Sequence, residues 1–176
     1  APEQAEQVWR GRVAVLERTR GRREIVAIGP VLSTPDVPVD VSIGGQPIQR
    51  SGMRVVQTTT AALDALNVRI SPDNADQPLT GVYVGSRIAD ELGLGEHIAA
   101  APVGIQVQGV AFPVLGEVER SERRSDLLSS VVIVEDSSQP PLTWSNGPLS
   151  TFAGDLAFEV RTTNGGAAAA AALASL

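Results

Sequence analysis

At 176 residues, 43% hydrophobic and 19% charged, the chain has material for a real core and length for one ordinary domain or two small lobes. It has no Cys, and all 14 basic residues are Arg, which excludes disulfides, thiolate nucleophiles, cysteine metal sites, a Schiff-base lysine and a P-loop lysine. The net charge of −6 argues against nucleic-acid binding by the surface as a whole.

In chain order, PEQAEQVWRGRVAVLERTR places Ala5, Val8, Trp9, Val13 and Leu16 at helical spacing, predicting a helix over roughly 3–19 that Gly11 weakens. Residues 1–24 carry six Arg against four Glu on an otherwise acidic chain. Such a basic end suits either a membrane-proximal face or a solvated helix face. REIVAIGPVLS reads as a strand stopped near Pro30. Val37, Val39, Val41 and Ile43 then alternate before Gly44-Gly45, which predicts a hairpin with edge character because prolines interrupt it. GMRVVQTTT is a further strand, with Thr59 or Thr60 capping a short helix through Leu66. Residues 71–79 read as a loop.

GVYVGSRIADELGL (81–94) reads as strand, glycine, helix, the layout that opens many phosphate-binding units. The dinucleotide pattern G-x-G-x-x-G is missing, and Gly85 stands alone. Gly85 therefore reads as a sharp turn, with Ser86 the helix cap, Ile88, Ala89 and Leu92 packing inward, and Arg87, Asp90 and Glu91 facing solvent. His97, the single histidine, falls in a helix-to-strand loop beside Glu96. VGIQVQGVAFPVLGEVE alternates around Gly109 as a hairpin with Ile105, Val107, Val110, Phe112 and Val114 inward. The tract ERSERRSD reads as a solvated hairpin end whose charges largely cancel. SSVVIVED, nearly all apolar, reads as a buried strand. A proline-containing loop holding Trp144 and Phe152 follows, then the strand LAFEVRTT and an alanine-rich helix. Strands outnumber helices without βα alternation, so the fold class is α+β, a mixed or antiparallel sheet with a few packed helices.

Chemistry-bearing patterns are sparse. A Ser-His-Asp site would have to use His97, and no G-x-S-x-G elbow occurs. Asp73 and Asp76 lack EF-hand spacing. No catalytic, metal-binding or cofactor-binding residue is assigned, and no cofactor is expected. Trp144 and Phe152 either pin their loop to the core or form a contact surface for a partner. No segment reaches the roughly 20 apolar residues of a membrane helix. The chain begins at Ala1-Pro2 and stops inside an alanine run without a helix stop signal, so both ends are expected to continue into a longer protein.

The order of pieces resembles the extracytoplasmic domain of ABC-transporter permeases of the MacB/FtsX-like superfamily. The resemblance rests on Val82, Gly85, Ala89, Leu92 and Gly93 in the strand–helix unit, and on Ile105, Val107, Gly109, Phe112, Val114, Gly116 and Val118 in the hairpin. It covers roughly residues 50–176. It implies a domain inserted between the first two membrane helices of a permease, on the extracytoplasmic side of the cell membrane. Residues 1–24 would be a membrane-proximal stalk and 25–176 the core, a porter-like lobe with a smaller β-rich segment. It also implies a homodimer coupled to a cytoplasmic ATPase, transmitting ATP-driven motion outward for export or to an extracytoplasmic protein, with no enzymatic activity and no nucleic acid bound. Two other classes stand beside it: a secreted binding module built on the Trp144 loop, and a carboxylate-based hydrolase.

Overall fold

The computed structural model describes residues 25–72, 80–107, 109–135 and 155–162. The expected helix over 3–19, the acidic loop of Asp73 and Asp76, the Trp144–Phe152 loop and the alanine-rich helix lie outside the described residues.

The chain builds first a long hairpin of β1 (Ile25–Ile43) and β2 (Gln46–Thr59). Its tip is the expected glycine pair, with φ of 58° at Gly44 and 81° at Gly45. Two successive left-handed residues are what a two-residue turn matched to strand twist demands. Two expectations need correction. β1 does not stop near Pro30, and it is no edge strand. It pairs β2 along one side, and along the other it pairs first β8 (Asp155–Thr162) and then β5 (Val103–Val107). Its prolines are tolerated because each sits where at least one side of the ladder lapses. Pro30 pairs β8 before the β2 ladder begins, Pro35 lies in a register shift, and Pro38 pairs β2 before β5 joins.

Thr59 ends β2 and caps α1 (Thr60–Ala65), its hydroxyl accepting from the Ala62 N–H at 3.3 Å. After β3 (Arg69–Ser71) come β4 (Gly81–Gly85), α2 (Ser86–Leu92) and α3 (Gly95–Ala100). β5, β6 (Val110–Arg120), a 3₁₀ turn (Ser125–Ser129) and β7 (Ser130–Glu135) follow, and β8 closes the described chain.

All eight described strands belong to one sheet, and six close on themselves in the order β1, β2, β7, β4, β6, β5 and back to β1. The β2–β7 and β4–β6 pairs are parallel and the others antiparallel. The expected mixed sheet is therefore present, but it is a closed ring, and helix is scarcer than an α+β reading implies: the three described helices have six, seven and six residues. Closure removes most free edges from the ring strands. β8 extends the sheet from β1, and β3 from β6.

Side-chain alternation divides the core in two. Val37, Val39, Val41, Val55, Val82, Val84, Ile105, Val107, Val114, Val131 and Ile133 come from all six ring strands and pack together, so they fill the ring. Ala89, Leu92, Leu94 and Ile98 of the α2–α3 segment pack onto this cluster. The opposite face carries Val56, Tyr83, Val118, Val132 and Val134, covered by Ala62 and Leu63 of α1, by Leu66 at its C-cap and by Leu127 of the 3₁₀ turn. β7 is buried on both faces, which is why its sequence is an unbroken apolar run. In β6 the expected inward set shifts. Val114 is buried, but Phe112 is only partly so and Val110 is exposed beside the turn. An irregularity opposite Val82–Tyr83 then transfers Val118 to the outer cluster.

The antiparallel β1–β8 pair sets Ile25 opposite Thr162. The first and last described segments of the core therefore leave it side by side.

Candidate functional site

The strand–glycine–helix unit is the first candidate, and its geometry explains the glycine. Gly85 is the N-cap of α2, with φ −65° and ψ 147°, and Ser86 is the first helical residue; the expected Ser86 cap is corrected. That backbone is open to any residue, so conformational freedom is not what glycine supplies. A Cβ at Gly85 would overlap the backbone carbonyls of Leu127 and Leu128. The strand–helix corner is pressed onto the 3₁₀ turn, and glycine is what lets the two backbones meet. Protein backbone takes the place where a phosphate-binding turn would present its own. The inward and outward assignments along α2 hold: Ile88 and Ala89 are buried, Leu92 packs partly, and Arg87, Asp90 and Glu91 are exposed.

His97 lies in α3, not in a loop, and is exposed beside exposed Glu96. The helix was missed because GLGEHIAAAP offers glycines at its start and no capping side chain. Among the described residues no group of three or more His, Asp or Glu is placed to hold a metal ion. Trp144 and Phe152, the proposed contact residues, lie outside the described residues.

The charged tract 120–126 departs most from expectation. Arg124 is largely buried. Its Nε and Nη2 donate to the two oxygens of Asp126 at 3.2 and 2.8 Å, the paired geometry that makes guanidinium–carboxylate contacts strong. Its Nη1 lies 3.7 Å from Glu159 on β8. The Ser130 hydroxyl donates to the Asp126 carbonyl at 2.6 Å, and the Arg124 N–H donates to Ser121 Oγ at 3.3 Å. Arg54, next to Ser130 in the β2–β7 register, donates to buried Ser33 at 2.7 Å. Arg124 and Asp126 thus form a polar clasp joining the 3₁₀ turn, β7 and β8, while Glu119, Arg120, Glu122, Arg123 and Ser125 stay exposed as the solvated reading expects. Burial pushes the Asp126 carboxyl up, but the hydrogen bonds and charge of Arg124, with Arg54 beyond, outweigh it and hold the group below its ordinary value. The Asp126 hydrogen bond in turn raises Arg124. Glu117 behaves oppositely: burial first, then the charges of Asp90 and Glu119, raise its pKa. A second tie runs from Arg161 Nη2 on β8 to Asp64 Oδ1 on α1 at 3.1 Å. Sequence reasoning missed the clasp because Glu159 is remote in the chain. The one local signal was an Arg and an Asp two apart, just before a pair of leucines.

Among the described residues these groups brace one element against another. No protein-family model matches the chain, and no curated protein matches it. Among solved structures, one similar fold is the periplasmic region of MacB from Actinobacillus actinomycetemcomitans, at a TM-score of 0.56 and 11% identity over 93% of this chain and 71% of that one. A domain of a putative permease protein from Porphyromonas gingivalis gives a TM-score of 0.44 and 15% identity over 78% of this chain and 62% of that one. The resemblance read from the motif order is therefore borne out at the level of architecture: in fold, the chain is similar to the periplasmic region of MacB.

Proposed function

We propose that this chain is the extracytoplasmic domain of an ABC-transporter permease, and that it passes motion driven by a cytoplasmic ATPase to the outer side of the membrane. The observation that carries the reading is the fold similarity to the MacB periplasmic region across 93% of the chain. The pairing of Ile25 with Thr162 supports it, because a domain inserted between two membrane helices needs its entry and exit strands together. The apolar ring supports it as well: a close-packed interior deforms little, so displacement at one place is felt at another.

In this reading residues 1–24 form a membrane-proximal stalk, 25–176 form the core, and the permease works as a homodimer. Its task is transmission, for export or to an extracytoplasmic protein, and not catalysis. Trp144 and Phe152 are the proposed contact with that protein; Trp144→Ala should abolish its capture by the chain while leaving the unfolding midpoint in place.

The deciding experiment is on the full-length parent. Its sequence should carry an apolar span of about 20 residues on each side of this chain. With any cysteines of the parent and its ATPase replaced, a cysteine introduced at exposed Glu91 can be spin-labelled in the assembled transporter, and the distance between labels should change when ATP is added. A parent without flanking spans, or labels indifferent to ATP, would defeat the proposal.

A further inference from the structure

The ring interior is lined mainly by aliphatic side chains, but it also buries a carboxamide. Gln57 on β2 is 1% exposed, and neither its side-chain oxygen nor its nitrogen has a hydrogen-bond partner among the described residues. Its direction follows from alternation along the strand: Val55 belongs to the cluster that fills the ring, Val56 to the outer one, so Gln57 points inward. The residues beside it in register are Leu32 on β1 and Ile133 on β7, and Ile133 is flanked in turn by Val82. None of these side chains can donate to or accept from an amide. A carboxamide carries two donors and an oxygen with two lone pairs. Burying it with none of them satisfied is costly, and native interiors very seldom do so.

A hydroxyl on the neighbouring strand β1 shares the face. Thr34 is 1% exposed and pairs Val55, which makes it a diagonal neighbour of Gln57 across the β1–β2 ladder. Diagonal neighbours stand about 7–8 Å apart at the backbone, with side chains converging within reach of a bridging group. Joining an amide to a hydroxyl across that gap takes something that both donates and accepts and is no larger than the gap. Internal waters meet that description and typically make about three such bonds.

We propose that the ring holds an ordered internal water between the Gln57 carboxamide and the Thr34 hydroxyl. The water is a structural ligand of the ring. It satisfies the one buried amide there and ties β2 to β1 just above the point where the register of β1 shifts.

A crystal structure fine enough to place solvent tests this directly. It should show one water within about 3.2 Å of both Thr34 Oγ1 and a side-chain polar atom of Gln57. An amide bonded to protein groups instead, or dry density beside it, overturns the proposal. The second measurement is a double-mutant cycle on the 176-residue chain with Gln57→Leu and Thr34→Val, read as urea midpoints. A shared water makes the two changes non-additive, because either one releases it. Additive midpoint shifts overturn the proposal too. Should a variant fail to fold, the unmodified crystal still decides.

Discussion

Gly85 shows how a residue can be read correctly in outline and for the wrong cause. Its place between strand and helix is plain in GVYVG–SRIADEL, and the absence of companion glycines and lysine already speaks against a phosphate cradle. The reason for glycine is invisible in the sequence, because it lies some forty positions away, in the backbone of Leu127 and Leu128. Gly85→Ala should therefore destabilise the chain by about 1–3 kcal/mol, the usual range for forcing an extra group into a packed place, read as a fall in the urea midpoint. Asp126 gives a prediction with a sign. Its pKa in the folded chain lies below the unfolded value, so its carboxylate contributes stability at pH above that unfolded value, and the contribution is lost as pH falls through the folded one. Asp126→Asn should lower stability at neutral pH and flatten the loss of stability on acidification, measured as midpoints between about pH 6 and pH 2. Glu117 runs the other way. Its folded pKa is raised, so ionisation costs stability once pH exceeds the unfolded value. Glu117→Gln should raise the urea midpoint at pH 7 and leave it nearly unchanged at pH 3.

Elements were legible where one local cause decides them. The Thr59 cap, the Gly44-Gly45 turn and the apolar run of β7 follow from a hydroxyl, two left-handed residues and burial on both faces. Thr59→Ala should cost about 1 kcal/mol through the lost cap. Ile133→Ala, inside the ring, should cost about 2–5 kcal/mol. Equilibrium denaturation that ranked these two in the opposite order would contradict the division of the core described above. What escaped was decided by partners. The prolines of β1 suggest an interruption and an edge; the strand runs on because its neighbours change sides at the right residues. α3 has no side-chain cap and two glycines near its start, so its helicity rests on context. Arg124 and Asp126 read as solvated with the rest of the charged tract because Glu159, which meets Arg124, comes far later in the chain.

For the molecule as a whole, the motif order carried the architecture further than any single element. Strand content and the absence of βα alternation pointed to a mixed sheet, but closure did not follow. A ring is made by pairs such as β2–β7 and β4–β6, whose parallel registers no periodicity announces. The prediction at this scale concerns cooperativity. Amides in β4 and β7, paired on both sides, should exchange with solvent only on global unfolding, whereas β8, which among the described strands pairs only with β1, should open at lower free energy. Equal protection in the two places would mean that β8 is as fixed as the ring.

The pairing of Ile25 with Thr162 makes that difference mechanical. In the permease proposed above, two tethers that rose or fell in step would haul the entire ring, because the tension would run along the paired strands. Tethers drawn apart would instead peel β8 from β1 one rung at a time, beginning at Ile25–Thr162. Under that proposal the same joint would be rigid to a shared stroke and compliant to a spreading one, and the Arg124–Glu159 and Arg161–Asp64 contacts, which tie β8 to the 3₁₀ turn and to α1, are where the peeling would meet resistance.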